Sequence, residues 1–354
     1  MKRGRFRLGI YDRDAWYARR LGSYIQRSCR GQLEIMVFTR LETLGACLAC
    51  RGADLLLAGM DARGICGDSP AVQTVFLTET AEEEQLPGIL KTARYQSAEQ
   101  IWKDLLELAG ERIGQGALFP EKRSGTAFIG ICAVPHVHGD TVLGLVMSRI
   151  LAETSKKRTL FVTLEEFSPL DVLAGQERDG AGPELSELYY YYSQEELTGA
   201  RLQSAVCRWG EAEYILPVRM PEDLYRDGDA YEAEFFRRLA ELGSYDRVIM
   251  DMGNSIWGKE GALRLCGTVF APADAGPAGE VCVTRFRQWM REKGMEDCVV
   301  PVLMDPDLRK TAGQRSGAEQ ACRGRMGRLA EELLERSGYG AGRNQEETAR
   351  AAGA

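Results

Sequence analysis

Residues 126–151, TAFIGICAVPHVHGDTVLGLVMSRIL, read as an apolar strand, a polar turn and an apolar helix, the order in which phosphate-binding loops are built. In the pattern G-x-x-x-x-G-K-[ST], backbone N–H groups cradle phosphates, the lysine neutralises their charge and the hydroxyl ligates Mg²⁺. Aligned to that pattern, Val134 replaces the first glycine, Gly139 keeps the second, Asp140 replaces the lysine, and Thr141 keeps the hydroxyl. A carboxylate thus stands where a polyphosphate would need a cation. Further on, YDRVIMDMGN places Asp251 at the end of an apolar strand, the position of a carboxylate that holds the Mg²⁺ water shell. Gly139, Thr141 and Asp251 are expected to converge in the crevice outside the carboxyl ends of the strands.

The chain's two histidines, His136 and His138, both fall in this loop. Three readings stand for them: packing or solvation of the loop, an imidazolium contact to an anion or nucleotide at the helix N-terminus, or ligation of a transition metal with a nearby carboxylate. Asp140 also suits a helix start, where a carboxylate meets free N–H groups and the positive end of the dipole. Cys47 and Cys50 form a C-x-x-C inside LETLGACLACRG, which reads as a helix with no second pair to complete a tetrahedral site. A structural role is expected there, with redox or metal chemistry shared with His136 and His138 as the alternative.

These groups need a frame, and the chain supplies two. Short apolar runs at Phe6 to Tyr11, Leu33 to Phe38, Asp54 to Ala58, Thr74 to Leu77 and around Ile89 and Leu90 alternate with amphipathic stretches, which predicts a doubly wound α/β domain over 1–108. Its first helix has one apolar face, Tyr17, Leu21, Tyr24 and Ile25. Its last starts at Ser97 with Gln100 three residues on, and buries Ile101, Leu105 and Leu108. Residues 109–125 are rich in Gly and charge and read as a linker. A second α/β domain is expected over 126–338, with strands at Ala127 to Cys132, Thr159 to Val162, Tyr214 to Leu216, Arg247 to Met250, Thr268 to Phe270 and Val299 to Leu303. Its helices are expected at Gly144 to Glu153, Tyr231 to Leu242 and Val281 to Lys293. Residues 339–354 read as a disordered tail. Tyr189 to Tyr192 suit either an interface or packing beneath a helix, and RMGRLAEELLER reads as a helix packed on its own domain rather than on a membrane.

Composition bounds the function. The chain has 354 residues, 44% hydrophobic and 27% charged, enough for two domains with their own cores. A net charge of −7 argues against nucleic acid as the main partner, though it leaves room for a local basic patch. No apolar run reaches the roughly 20 residues of a membrane span. The start, MKRGRFRLGIYDRD, lacks the apolar stretch of a secretory signal, and most of the ten cysteines sit in apolar segments. A cytoplasmic protein with reduced thiols is the expectation.

The first domain resembles the receiver domains of response regulators. In that family acidic residues follow strand one, a phosphoacceptor aspartate follows strand three, a hydroxyl follows strand four and a lysine follows strand five. Asp12 and Asp14 match the acidic pair, Thr78 the hydroxyl, and Arg94 the lysine, with Lys91 an alternative register. The phosphoacceptor position is Gly59, with Asp61 two residues later, so the resemblance implies a pseudo-receiver used for contact. The second domain resembles the MinD and ParA family of ATPases. There the loop's extra signature lysine corresponds to Pro135, the glycines after it to His136 and Val137, and the D-x-D after the second strand to Thr163 and Glu165. Gly139, Asp140, Thr141, Glu165 and Asp251 are the candidate nucleotide site that the resemblance implies. Pro135 removes a backbone donor from its cradle.

The pairing of these two domains resembles the TadZ and CpaE proteins of Tad pilus systems. That resemblance implies a non-catalytic homodimer at the cytoplasmic face of the membrane or the cell pole, recruiting a pilus or secretion ATPase and inner-membrane platform proteins. The alternative it leaves is an ATP-binding switch with an atypical site and very slow hydrolysis, for which ATP with Mg would be the cofactor.

Overall fold

The computed structural model describes residues 6–29, 33–50, 52–66, 72–80, 83, 85–110, 113, 125–134, 139–175, 183–225, 229–253, 255–305, 308 and 317–340. The chain divides into two compact units. One comprises 1–121, 195–205 and 242–244; the other comprises 122–194, 206–241 and 245–354.

The first unit runs β1 (Phe6–Tyr11), α1 (Ala15–Ser28), β2 (Leu33–Phe38), α2 (Leu41–Ala49), β3 (Leu55–Gly59), α3 (Arg63–Cys66), β4 (Gln73–Thr78), β5 (Leu90–Ala93) and α4 (Ala98–Ala109). Its five strands are all parallel in the order β2-β1-β3-β4-β5, the flavodoxin-like order whose switch point lies between β1 and β3. Every residue of β3 is buried, as a strand covered on both faces requires. Ser97 caps α4 by accepting from the Gln100 N–H at 3.1 Å; the Gln100 amide, instead of reaching back, donates to Asp104 at 2.8 Å.

The second unit runs β6 (Ala127–Ile131), α5 (Asp140–Ser155), β7 (Thr159–Thr163), α6 (Leu170–Leu173) and α7 (Leu185–Ser193). The chain then makes α8 (Gly199–Ala205), which is assigned to the first unit and packs along α4. Back in the second unit follow β8 (Val206–Trp209), β9 (Ala212–Ile215), α9 (Asp229–Leu242), β10 (Arg247–Asp251), α10 (Glu260–Leu265), β11 (Cys266–Asp274), α11 (Pro277–Glu292), β12 (Val299–Met304), α12 (Gly317–Arg323) and α13 (Arg325–Arg336). The sheet order is β12-β11-β6-β10-β7-β9-β8, parallel except for the β8–β9 hairpin. Strand β6, which feeds the loop, lies beside β10, which ends in Asp251.

Helix α5 is buried on nearly all sides because it lies between the sheet and α13. Gly144 permits that contact: a Cβ there would meet Phe161 Cε2 at 2.6 Å and Ile131 Cδ1 at 2.8 Å. Helix α13 turns Met326, Ala330, Leu333 and Leu334 inward, so its apolar face is used within the unit. The tyrosine run is divided. Tyr189 stacks on Phe235 at 4.2 Å and Tyr192 meets Tyr231 and Phe235 edge-on, while Tyr190 is exposed.

Three expectations change. Tyr339, placed in the tail, is buried, with its hydroxyl 3.2 Å from Thr268 Oγ1; residues 341–354 lie outside the described residues. Residues 195–205 and 242–244, read as part of the second domain, belong to the first unit. The hairpin strand β8 was not anticipated. Most of the expected linker also lies outside the described residues.

Candidate functional site

The site of the second unit forms where β6, β7 and β10 end together. Gly139 takes φ +111°, a left-handed conformation that glycine adopts without strain, and serves as the N-cap of α5. Asp140 is therefore the first helical residue rather than the cap. Its side chain is buried, and its Oδ2 has no hydrogen-bond partner among the described residues. Burial pushes its carboxyl well above the usual carboxylate range, and the charges of Asp251 and Glu165 push it further; backbone N–H groups of Asp140 and Thr141 oppose this only in part.

Asp251 is fully buried at the end of β10, and its oxygens are already engaged. Oδ2 accepts from Thr141 Oγ1 at 2.8 Å and from Thr163 Oγ1 at 3.0 Å, and Oδ1 accepts from the Gly253 N–H at 3.0 Å. Burial still raises its carboxyl pKa. Thr141 Oγ1 also lies 3.1 Å from Glu165 Oε2. One hydroxyl has one proton, so it donates to one carboxylate, and the second contact is a hydrogen bond only when that carboxyl is protonated and donates back. Glu165 fits this: burial first, then Asp251, pushes its carboxyl up to about 7. The loops after β7 and β10 touch closely here. A Cβ on Gly253, which has φ +62°, would stand 2.9 Å from Glu165 Cβ.

Sequence reasoning missed one member. Lys259, at the N-cap of α10, is 1% exposed; its ammonium donates to the Met252 carbonyl at 2.9 Å and favours the charged forms of Asp251 and Glu165. Burial lowers its own pKa. Nothing in its flanking residues marks it; only its place after Asp251 was a signal. The structure thus brings together Gly139, Asp140, Thr141, Thr163, Glu165 and Asp251. His136, His138 and Pro135 lie outside the described residues.

Around the site, Phe167 after β7 and Trp257 after β10 are each 83% exposed. The Tyr225 hydroxyl donates to Glu166.

In the first unit the matched residues also converge, and they neutralise one another. Arg94 donates to both carboxylate oxygens of buried Asp12, at 2.8 and 2.9 Å, pairs with Glu79 at 3.2 Å, and lies 4.5 Å over the Tyr17 ring. Asp14 caps α1 through the N–H groups of Trp16 and Tyr17. Thr78 Oγ1 donates to the Thr92 carbonyl at 3.3 Å. Lys91 instead donates to the Leu86 carbonyl, so Arg94 is the residue in the pocket. Asp61 folds back over Gly59: its Oδ1 lies 2.8 Å from where a Cβ at Gly59 would be, and its Oδ2 accepts from Tyr11 Oη at 2.7 Å and Arg13 Nε at 2.6 Å.

Among the described residues no group of three or more His, Cys, Asp or Glu side chains is placed to hold a metal ion, and no helix is long and apolar enough to cross a membrane. The Cys47 thiol is pushed up by burial, away from the reactive thiolate.

No protein-family profile and no curated protein matches the chain. Among solved structures it is similar to a ParA family ATPase from Chlorobium tepidum TLS, at 11% identity and a TM-score of 0.48 over 60% of this chain and 99% of that one. It is also similar to apo McdA from Cyanthece, at 14% identity and a TM-score of 0.41 over 60% of this chain and 82% of that one. A third similarity is to cobyrinic acid a,c-diamide synthase from Mycobacterium smegmatis with bound ATP analog and magnesium, at 15% identity and a TM-score of 0.40 over 56% and 82%.

Proposed function

We propose that this protein is a non-catalytic localisation or scaffold protein that works by being bound, of the kind that recruits Tad-type pilus or secretion machinery at the cytoplasmic face of the membrane. The observation that carries the non-catalytic reading is the buried Asp140 carboxyl at the lysine position of the loop, facing Asp251 and Glu165. At an effective dielectric of about 20, unit charges about 5 Å apart interact by roughly 3 kcal/mol, so replacing a cation by an anion moves phosphate binding by up to about 6 kcal/mol. A shared proton lowers that figure without restoring the lost attraction. Asp251, whose oxygens accept from Thr141, Thr163 and Gly253, is satisfied within the protein rather than presented to a hydrated Mg²⁺. The first unit supports the same reading as a pseudo-receiver, because Arg94 fills the acidic pocket and Gly59 offers no phosphoacceptor. Phe167 and Trp257, exposed beside the site, suit a surface that meets a protein partner.

Calorimetric titration of the full chain with Mg-ATP tests this. No saturable binding is expected for the wild type, and Asp140→Lys is expected to gain affinity. Micromolar binding by the wild type that is lost in Asp251→Ala would favour the ATP-binding switch instead. The recruiting role is tested by co-purification with a Tad-type secretion ATPase and platform proteins from the same cell; failure to co-purify with either overturns it.

A further inference from the structure

Charge is unevenly placed along this chain. Residues 1–33 contain nine Lys and Arg against two acidic residues, a net charge of +7 in a chain whose total is −7. Helix α1 displays part of that excess. From Ala15 to Ser28 it has no acidic residue, and its outer face carries Trp16, Arg19, Arg20, Ser23 and Arg27, all exposed, while Ala18, Leu21, Gly22 and Ile25 face inward. These outward residues, with Ala15, line an open cavity of about 360 Å³. Trp16 is 65% exposed, and the Arg20 guanidinium lies 4.4 Å above its ring.

We propose that the outer face of α1 is a docking surface for an anionic phospholipid bilayer. Arginine stems with charged tips and one exposed indole are the residues that favour the headgroup layer, where the ring lies at the interface and the guanidiniums meet phosphates. Charge complementarity selects an anionic surface, since each arginine near such a surface contributes about 1 kcal/mol, close to fivefold in partition. The face spans fourteen residues, about 21 Å of helix, and a bilayer engages all of it without needing a matching pocket. A nucleic acid is less well served: the one exposed ring already has a guanidinium over one face, and no other exposed aromatic on α1 offers a stacking platform. Nothing in this inference depends on the degenerate loop of the second unit.

The test is flotation of the full chain with phosphatidylcholine vesicles, with and without about one third phosphatidylglycerol. Binding is expected only to the anionic vesicles, weakening as salt rises. Arg19→Glu with Arg20→Glu is expected to lower partition by at least about 25-fold, and Trp16→Ala to lower it less, with melting temperatures unchanged because the side chains are exposed. If the charge reversal disturbs folding, Arg19→Gln with Arg20→Gln gives the same reading at about fivefold per residue. Equal partition of wild type and arginine variants, equal binding to neutral vesicles, or binding to a duplex oligonucleotide without flotation overturns the proposal.

Discussion

Replacing Glu165 by glutamine separates the cost of the carboxylate cluster from its geometry. Glu165 shares the Thr141 hydroxyl with Asp251, and its carboxyl is raised from 4.5 to about 7 by burial and by Asp251. At full strength that displacement corresponds to ~3.4 kcal/mol; the partial exposure of Glu165 screens it to roughly 1–2 kcal/mol. The folded-state pKa lies above the unfolded one, so the folded protein holds this proton more tightly. The contribution is complete below about 4.5 and is lost as pH rises through about 7. Asp140 and Asp251 shift in the same direction, while Lys259 opposes them, so the wild type is expected to lose stability with rising pH through several groups. Glutamine stays neutral, and its amide can donate to Thr141 Oγ1. In thermal melts at about pH 5.5 and about pH 8, an interval that spans a little over half of that contribution, the variant should gain on the wild type by roughly 1–5 °C between the two, at 2–4 °C per kcal/mol for a unit of this size. A constant gap across pH, or a variant that falls behind at high pH, would refute the argument that these carboxylates repel one another in the fold.

Two further substitutions probe the neighbours. Lys259→Met keeps the stem but leaves the Met252 carbonyl unmet and removes the cation facing Asp251 and Glu165; a loss of about 1–3 kcal/mol in urea unfolding is expected, larger at alkaline pH, and an unchanged midpoint would refute the assignment. Arg94→Ala strands the buried Asp12 carboxylate and should destabilise the first unit by about 2–3 kcal/mol; a change within about 0.5 kcal/mol would show that the pair is solvated in solution.

Sheet strands were legible because parallel strands covered on both faces appear as apolar runs, as LLLAG and the VIM between Arg247 and Asp251 do. Strand β8 was not, since VCRW carries a charge and alternates, and its two-residue turn, with Gly210 at φ +63°, was the available signal. The gathering of Gly139, Thr141 and Asp251 followed from the crevice rule, while Thr163 and Glu165 were placed there only by the resemblance to the MinD and ParA family. Burial of Lys259 did not, because a lysine in a polar turn looks solvated until the loops above it close. The role of Asp14 also went unread: its spacing matched an acidic pocket, and the same carboxylate caps α1.

The excursion that forms α8 bears on how the chain is made. Helix α4 leaves the ribosome about ninety residues before the helix that packs along it. The first unit is therefore incomplete when its opening 121 residues emerge and stays so until Ser244 has followed, by which time β6, α5, β7, β8 and β9 of the second unit are already outside the tunnel. Cleavage at the segment between the units would leave residues 195–205 on the wrong fragment. Neither fold can be exchanged as a cassette, and their assembly is concurrent rather than sequential.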